Sequence, residues 1–163
     1  MKKLFTILLL GITTLVFSQK TEIPNSIVDF GLGLGPNYGI FGTKTIIGYQ
    51  GTGLLIGIGT LGGNTAYEVG FQITEKWLFA NIGHGVYGIA TNRNTGKNEL
   101  IKGTIALIGG KINLLKSKTF FLELAIGYAS GAKIKTPAGS IPQNGPTGII
   151  GINYRIGNIK KKE

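Results

Sequence analysis

His84 and Ser130 are the residues of this 163-residue chain whose types could carry acid–base and nucleophilic chemistry. Such catalysis needs a nucleophile, a base and an orienting acid within hydrogen-bond reach of one another. The two fall in alternating segments that are not sequence neighbours, and no acid stands in step with His84, which therefore reads as structural. Gly57-Ile58-Gly59-Thr60-Leu61-Gly62 spells G-x-G-x-x-G behind an apolar run. A dinucleotide site needs a helix to begin there, so that its first N–H groups meet the pyrophosphate. Asn64-Thr65 and a further alternation follow instead, which argues against nucleotide binding. With no cysteine and one histidine, thiolate and multi-histidine metal sites are excluded. No catalytic residue, metal or cofactor is expected.

Six charges have the more informative spacing: Asp29, Lys44, Glu68, Lys111, Glu123 and Arg155. Each lies in a segment where apolar residues occupy every second position and glycine or a polar residue fills the gaps, the period of a β-strand. Strands are predicted over 26–35, 40–50, 53–62, 65–74, 77–90, 102–115, 119–130 and 147–158. No later segment keeps a helical period, and 28 glycines argue against helices. One face of these strands is bulky and apolar, with Phe30, Leu32, Ile56, Val69, Phe71, Ile108 and Ile126 among its residues. The other carries the six charges among many glycines. An eight-stranded barrel has an interior wide enough only for its own side chains. The small and charged face therefore belongs inside and the bulky face outside. Buried charges are tolerable when paired, so the lumen is expected to match Arg155 with Asp29, Lys111 with Glu123, and Lys44 with Glu68.

The remaining features concern address and surroundings. Met1-Lys2-Lys3, an apolar run from Leu4 to Val16 and a small residue at Ser18 have the layout of a cleaved signal peptide over 1–18. The expected mature part, 19–163, is a single barrel domain with a short basic tail at Lys160–Lys162. Loss of Lys2 and Lys3 takes the formal net charge from +10 to +8, and with the lumen balanced this excess sits on turns, loops and termini. An exported chain with such scattered cations is not expected to bind nucleic acid. Tight turns near 50–53, 74–76 and 116–118 fall on one side, with both termini. Longer connections over 91–101 and 131–146 fall on the other. Short periplasmic turns and longer outer loops are the habit of transmembrane barrels, whose strands cross in about 9–11 residues. Aromatics gather toward the strand ends as interface girdles: Tyr49, Trp77, Phe120, Phe121 and Tyr154 on the turn side, Tyr38, Tyr67 and Tyr128 on the loop side.

These features, with the last strand Gly151-Ile152-Asn153-Tyr154-Arg155-Ile156, resemble the small eight-stranded outer-membrane β-barrels of Gram-negative bacteria, of the OmpX type or the membrane domain of OmpA. The resemblance is one of pattern over 19–158, and the residues Gly157–Glu163 beyond it depart from the terminal aromatic frequent in that family. It implies an all-β, closed, antiparallel up-and-down eight-stranded transmembrane β-barrel in the outer membrane, a monomer inserted by the assembly machinery. Loops 91–101 and 131–146 would face the exterior, where lysines and arginines could meet lipopolysaccharide phosphates. The expected role is structural or surface-interacting in the envelope. The alternatives are a soluble periplasmic lipocalin-like barrel holding a small apolar ligand and, as a lesser one, a barrel enzyme modifying lipid A.

Overall fold

The computed structural model describes residues 26–91, 98–115, 119–136 and 139–156, with backbone alone at 91, 98, 132–136 and 139–143. The predicted signal segment 1–18, the 116–118 turn and the basic tail lie outside the described residues. The strands are β1 Ser26–Gly35, β2 Ile40–Tyr49, β3 Thr52–Leu61, β4 Asn64–Glu75, β5 Leu78–Thr91, β6 Asn98–Asn113, β7 Phe120–Thr136 and β8 Gly139–Arg155. Each pairs antiparallel with the next, and β8 returns to β1 from Asp29↔Arg155 to Leu34↔Ile150. The eight strands thus form a closed up-and-down barrel. Closure satisfies the backbone of what would otherwise be two open sheet edges.

Strand β4 shows why these residues make these elements. Tyr67, Val69, Phe71 and Ile73 point outward, while Ala66, Glu68, Gly70, Gln72 and Thr74 are buried inside. Aromatic and β-branched residues suit the pleated surface, and the period of two hands each face a distinct chemistry. The turn into β4 is Gly62-Gly63, both at positive φ (58° and 80°), the geometry that matches the right-handed twist of the flanking strands. Around the whole barrel the exterior is bulky, from Phe41, 67 % exposed, to Ile126, 74 % exposed.

Two stretches read as loops contain strand. β5 runs through Thr91 and β6 starts at Asn98, shortening the expected 91–101 loop. Within 131–146, β7 and β8 stay paired from Ala132↔Gln143 to Thr136↔Gly139, beyond a bulge between Ala129 and Ala132. A two-stranded ribbon is held by backbone hydrogen bonds, which a hydropathy pattern does not register.

The connection between β1 and β2 turns into the barrel. Pro36–Tyr38 forms one 3-10 turn with all three residues buried. Gly39 N–H donates to the Pro36 carbonyl at 2.8 Å, closing the turn. The chain then leaves through Gly39 and Ile40 at φ 58° and 69°. A β-branched residue rarely adopts that left-handed conformation. Tyr38 packs with Phe79, Ile105, Leu107, Ala125 and Ile149 in the principal apolar cluster of the interior. A second cluster, Ile27, Ile46 and Leu55, closes the β1–β3 wall near the turn side.

Candidate functional site

The inward turn makes the lumen the place where this chain concentrates its polar chemistry. Tyr38 is 0 % exposed. Its hydroxyl donates toward Glu123 Oε2 of β7 at 3.2 Å and accepts from Asn153 Nδ2 of β8 at 3.0 Å. Lys44 Nζ, from β2, stands 4.9 Å from the centre of the same ring. Room for the turn comes from missing side chains. A Cβ at Gly57 would overlap the Asn37 carbonyl, and one at Gly151 would overlap the Tyr38 ring and hydroxyl. Part of the glycine-rich face is therefore a socket for residues 36–38.

The charges form a chain across this floor. Lys44 Nζ pairs directly with Glu123 Oε2, both fully buried. Lys111 Nζ lies 3.6 Å from Glu123 Oε1 and 3.5 Å from Asp29 Oδ2. Arg155 grips the two oxygens of Asp29 through Nε at 2.7 Å and Nη2 at 2.9 Å. The order is Lys44, Glu123, Lys111, Asp29, Arg155. Phe121 backs the chain, its ring centre 5.1 Å from Lys111 Nζ and 5.2 Å from the Arg155 guanidinium. Desolvating these ions is costly, and their mutual attraction with the added hydrogen bonds offsets that cost. Lys44 of β2 and Glu123 of β7 stand three strands apart around the closed barrel, and their contact with the inward-turned Tyr38 fills the lumen at that level.

The structure brings together Arg155 with Asp29 and Lys111 with Glu123. The expected Lys44–Glu68 pair does not form. The two residues flank Gly57, as the pairings Lys44↔Gly57 and Gly57↔Glu68 show. Lys44 instead spans the lumen to Glu123, where it meets a carboxylate already held by Tyr38. Glu68 is fully buried with neither carboxylate oxygen hydrogen-bonded.

Two residues expected in the aromatic girdles lie inside. Tyr38 sits in the lumen because its connection folds inward. Phe121 is 1 % exposed; next to Phe120 in an extended strand, it must face the other way. That parity, shared with Glu123, was the available signal for Phe121, whereas nothing local marked Tyr38. Tyr49, Phe120, Tyr154, Tyr67 and Tyr128 are exposed and Trp77 is half-buried. The Phe120 and Tyr154 rings pack tilted at 47° with their centres 4.8 Å apart. Asn153 and Phe79 also belong to the site and were not singled out by type or spacing.

His84 and Ser130 are both exposed on the exterior. They share a row with Thr104 between them, through His84↔Thr104 and Thr104↔Ser130. Two strand spacings separate them by roughly 10 Å, beyond hydrogen-bond reach. The 57–62 glycines run from β3 into the Gly62-Gly63 turn and on into β4, with no helix to cradle a phosphate. Among the described residues, no three His, Cys, Asp or Glu gather as metal ligands would. Comparison with known proteins identified no matching family model, curated protein or solved structure.

Proposed function

We propose that this chain is an integral outer-membrane β-barrel with an obstructed lumen, serving the envelope as a structural and surface-contact element and not as an enzyme. The observation that carries this reading is the exterior belt, on which Phe30, Leu32, Phe41, Ile58, Phe71, Ile82, Ile108, Ile126 and Ile152 stand exposed around the closed barrel. A monomer in water rarely leaves so large an apolar surface uncovered. Lipid accepts it, and the closed hydrogen-bond ladder meets the requirement that no backbone group be left unpaired in hydrocarbon. On this reading residues 1–18 direct export, the termini are periplasmic, and the β5–β6 and β7–β8 hairpins face outward. The protein is a monomer whose partners are outer-membrane lipid and, during insertion, the assembly machinery. Lys102, exposed at the hairpin end of β6 with Nζ 5.2 Å from the Tyr67 ring centre, is suited to a lipopolysaccharide phosphate.

Membrane fractionation with carbonate washing, combined with gel mobility before and after boiling, tests the reading. A carbonate-resistant protein whose mobility changes on boiling is expected. A carbonate-soluble protein with one mobility would sink it and favour the soluble lipocalin-like barrel.

A further inference from the structure

The charge chain runs over β2, β1, β8, β7 and β6 and leaves several buried polar atoms of the β4–β5 wall without a hydrogen bond. On that wall both oxygens of Glu68, Oε1 of Gln72, and both side-chain polar atoms of Asn81 are buried and unbonded. Gln72 and Asn81 are direct cross-strand partners. A Cβ at Gly83, two residues from Asn81, would press on Glu68 Oε1, so the carboxylate leans toward β5. Above them is the inward turn, where the Asn37 carbonyl lies against Gly57, the strand partner of Glu68. The Asn37 carboxamide is likewise buried and unbonded. Below, Gln72 Nε2 donates to Thr74 Oγ1 at 3.2 Å, one residue from the exposed Glu75-Lys76 turn.

We propose that Glu68, Gln72, Asn81 and Asn37 form an internal water site in which Glu68 exchanges a proton with bulk solvent. Such atoms in native proteins are satisfied by ordered water or an ion, and the chemistry here selects water. The unbonded atoms include amide donors on Asn37 and Asn81 as well as acceptors. A water molecule serves both kinds, whereas a cation serves oxygens alone. A cation would also meet Lys44, across Gly57, and a chain in which Lys44, Lys111 and Arg155 outnumber Asp29 and Glu123. An anion would meet Glu68. The exchange is a hydronium proton passing to the carboxylate, giving the carboxylic acid and water.

The other titratable groups around the lumen are Asp29 of β1, Tyr38 of the inward turn, Lys44 of β2, Lys111 of β6, Glu123 of β7 and Arg155 of β8. β5 adds Tyr87, which packs against the apolar cluster of the interior, whereas His84 points out and, among the described residues, β3 contributes none. The site depends on lumen geometry alone and holds in lipid or in water, so its failure and that of the membrane reading are separable.

Nuclear magnetic resonance on the full chain folded in detergent micelles tests it. The side-chain amides of Asn37 and Asn81 are expected to show cross-relaxation to water. The Glu68 side-chain carboxyl carbon should titrate through its full shift range as bulk pH changes, and that titration should be lost in Glu68→Gln. Wild-type spectra alone decide the matter if the variant does not fold. Amides without water contacts, or a carboxyl carbon fixed at one position across the pH range, would overturn the proposal. So would amide shifts that saturate on adding sodium or potassium but not choline at equal ionic strength, since these would assign a cation to the site.

Discussion

Replacing Tyr38 by Phe and, separately, by Ala divides the hydroxyl's part in lumen closure from that of the ring. The hydroxyl donates to a buried, ionised carboxylate and accepts from Asn153. Hydrogen bonds to charged groups contribute about 1.5–3 kcal/mol, so Tyr38→Phe is expected to destabilise the barrel by about 2 kcal/mol. Asn153 Nδ2 keeps a long contact to the Gly151 carbonyl at 3.4 Å, which holds the effect toward the lower end. Tyr38→Ala also removes the ring. Truncating a fully buried aromatic costs about 3–5 kcal/mol, and Lys44 loses the ring face it stands over. The total is expected on the order of 5 kcal/mol. Urea titration of vesicle-inserted protein, followed by fluorescence of the single Trp77 and by the fraction with folded gel mobility, reads both values. Tyr38→Phe within about 0.5 kcal/mol of wild type, the ordinary scatter of inconsequential surface changes, would refute the hydrogen-bonded role. Equal midpoints for Phe and Ala would refute the claim that the ring fills the lumen.

Gly151→Val should prevent or strongly weaken folding, because its side chain enters the space of the Tyr38 ring. In a Tyr38→Ala background the same change should be tolerated, and refolding yields of the single and double variants check this. Glu123→Gln strips Lys44 and Lys111 of a shared carboxylate and is expected to lower stability by about 3–5 kcal/mol, measured by the same urea titration. Ile126→Lys places a cation on the exposed belt. It should cost about 2–4 kcal/mol in vesicles if the belt faces the bilayer core, whereas a soluble barrel would lose no more than about 0.5 kcal/mol in buffer.

Much of the architecture was legible because strand parity is a local property. Phe71 and Gln72 face opposite ways whatever the rest of the chain does, and so do Phe120 and Phe121. The separation of a bulky outer face from the face that carries the charges and many glycines follows from that period, although the inner face also holds Phe79, Ile105, Leu107 and Phe121. Two charge contacts were legible for a related reason. Lys111 and Glu123 flank one turn and share a register position, and Asp29 and Arg155 meet where the first and last strands close the barrel.

Tertiary structure decided the rest. The Lys44 partner depends on which wall lies across the lumen, a distance set by barrel closure and stagger and by no spacing along the chain. The inward turn at Pro36–Tyr38 left no periodic signature, because it is three residues in a connection whose direction only the surrounding socket fixes. Glycine looked like a uniform lining for a narrow barrel. At Gly57 and Gly151 it is the absence of a side chain that admits the turn and lets Tyr38 reach Glu123. Sequence therefore determined which residues face inward, and packing across the closed barrel determined which of them meet. Pairing along a strand or turn obeys a short-range period, whereas pairing across a lumen is a property of the whole circumference.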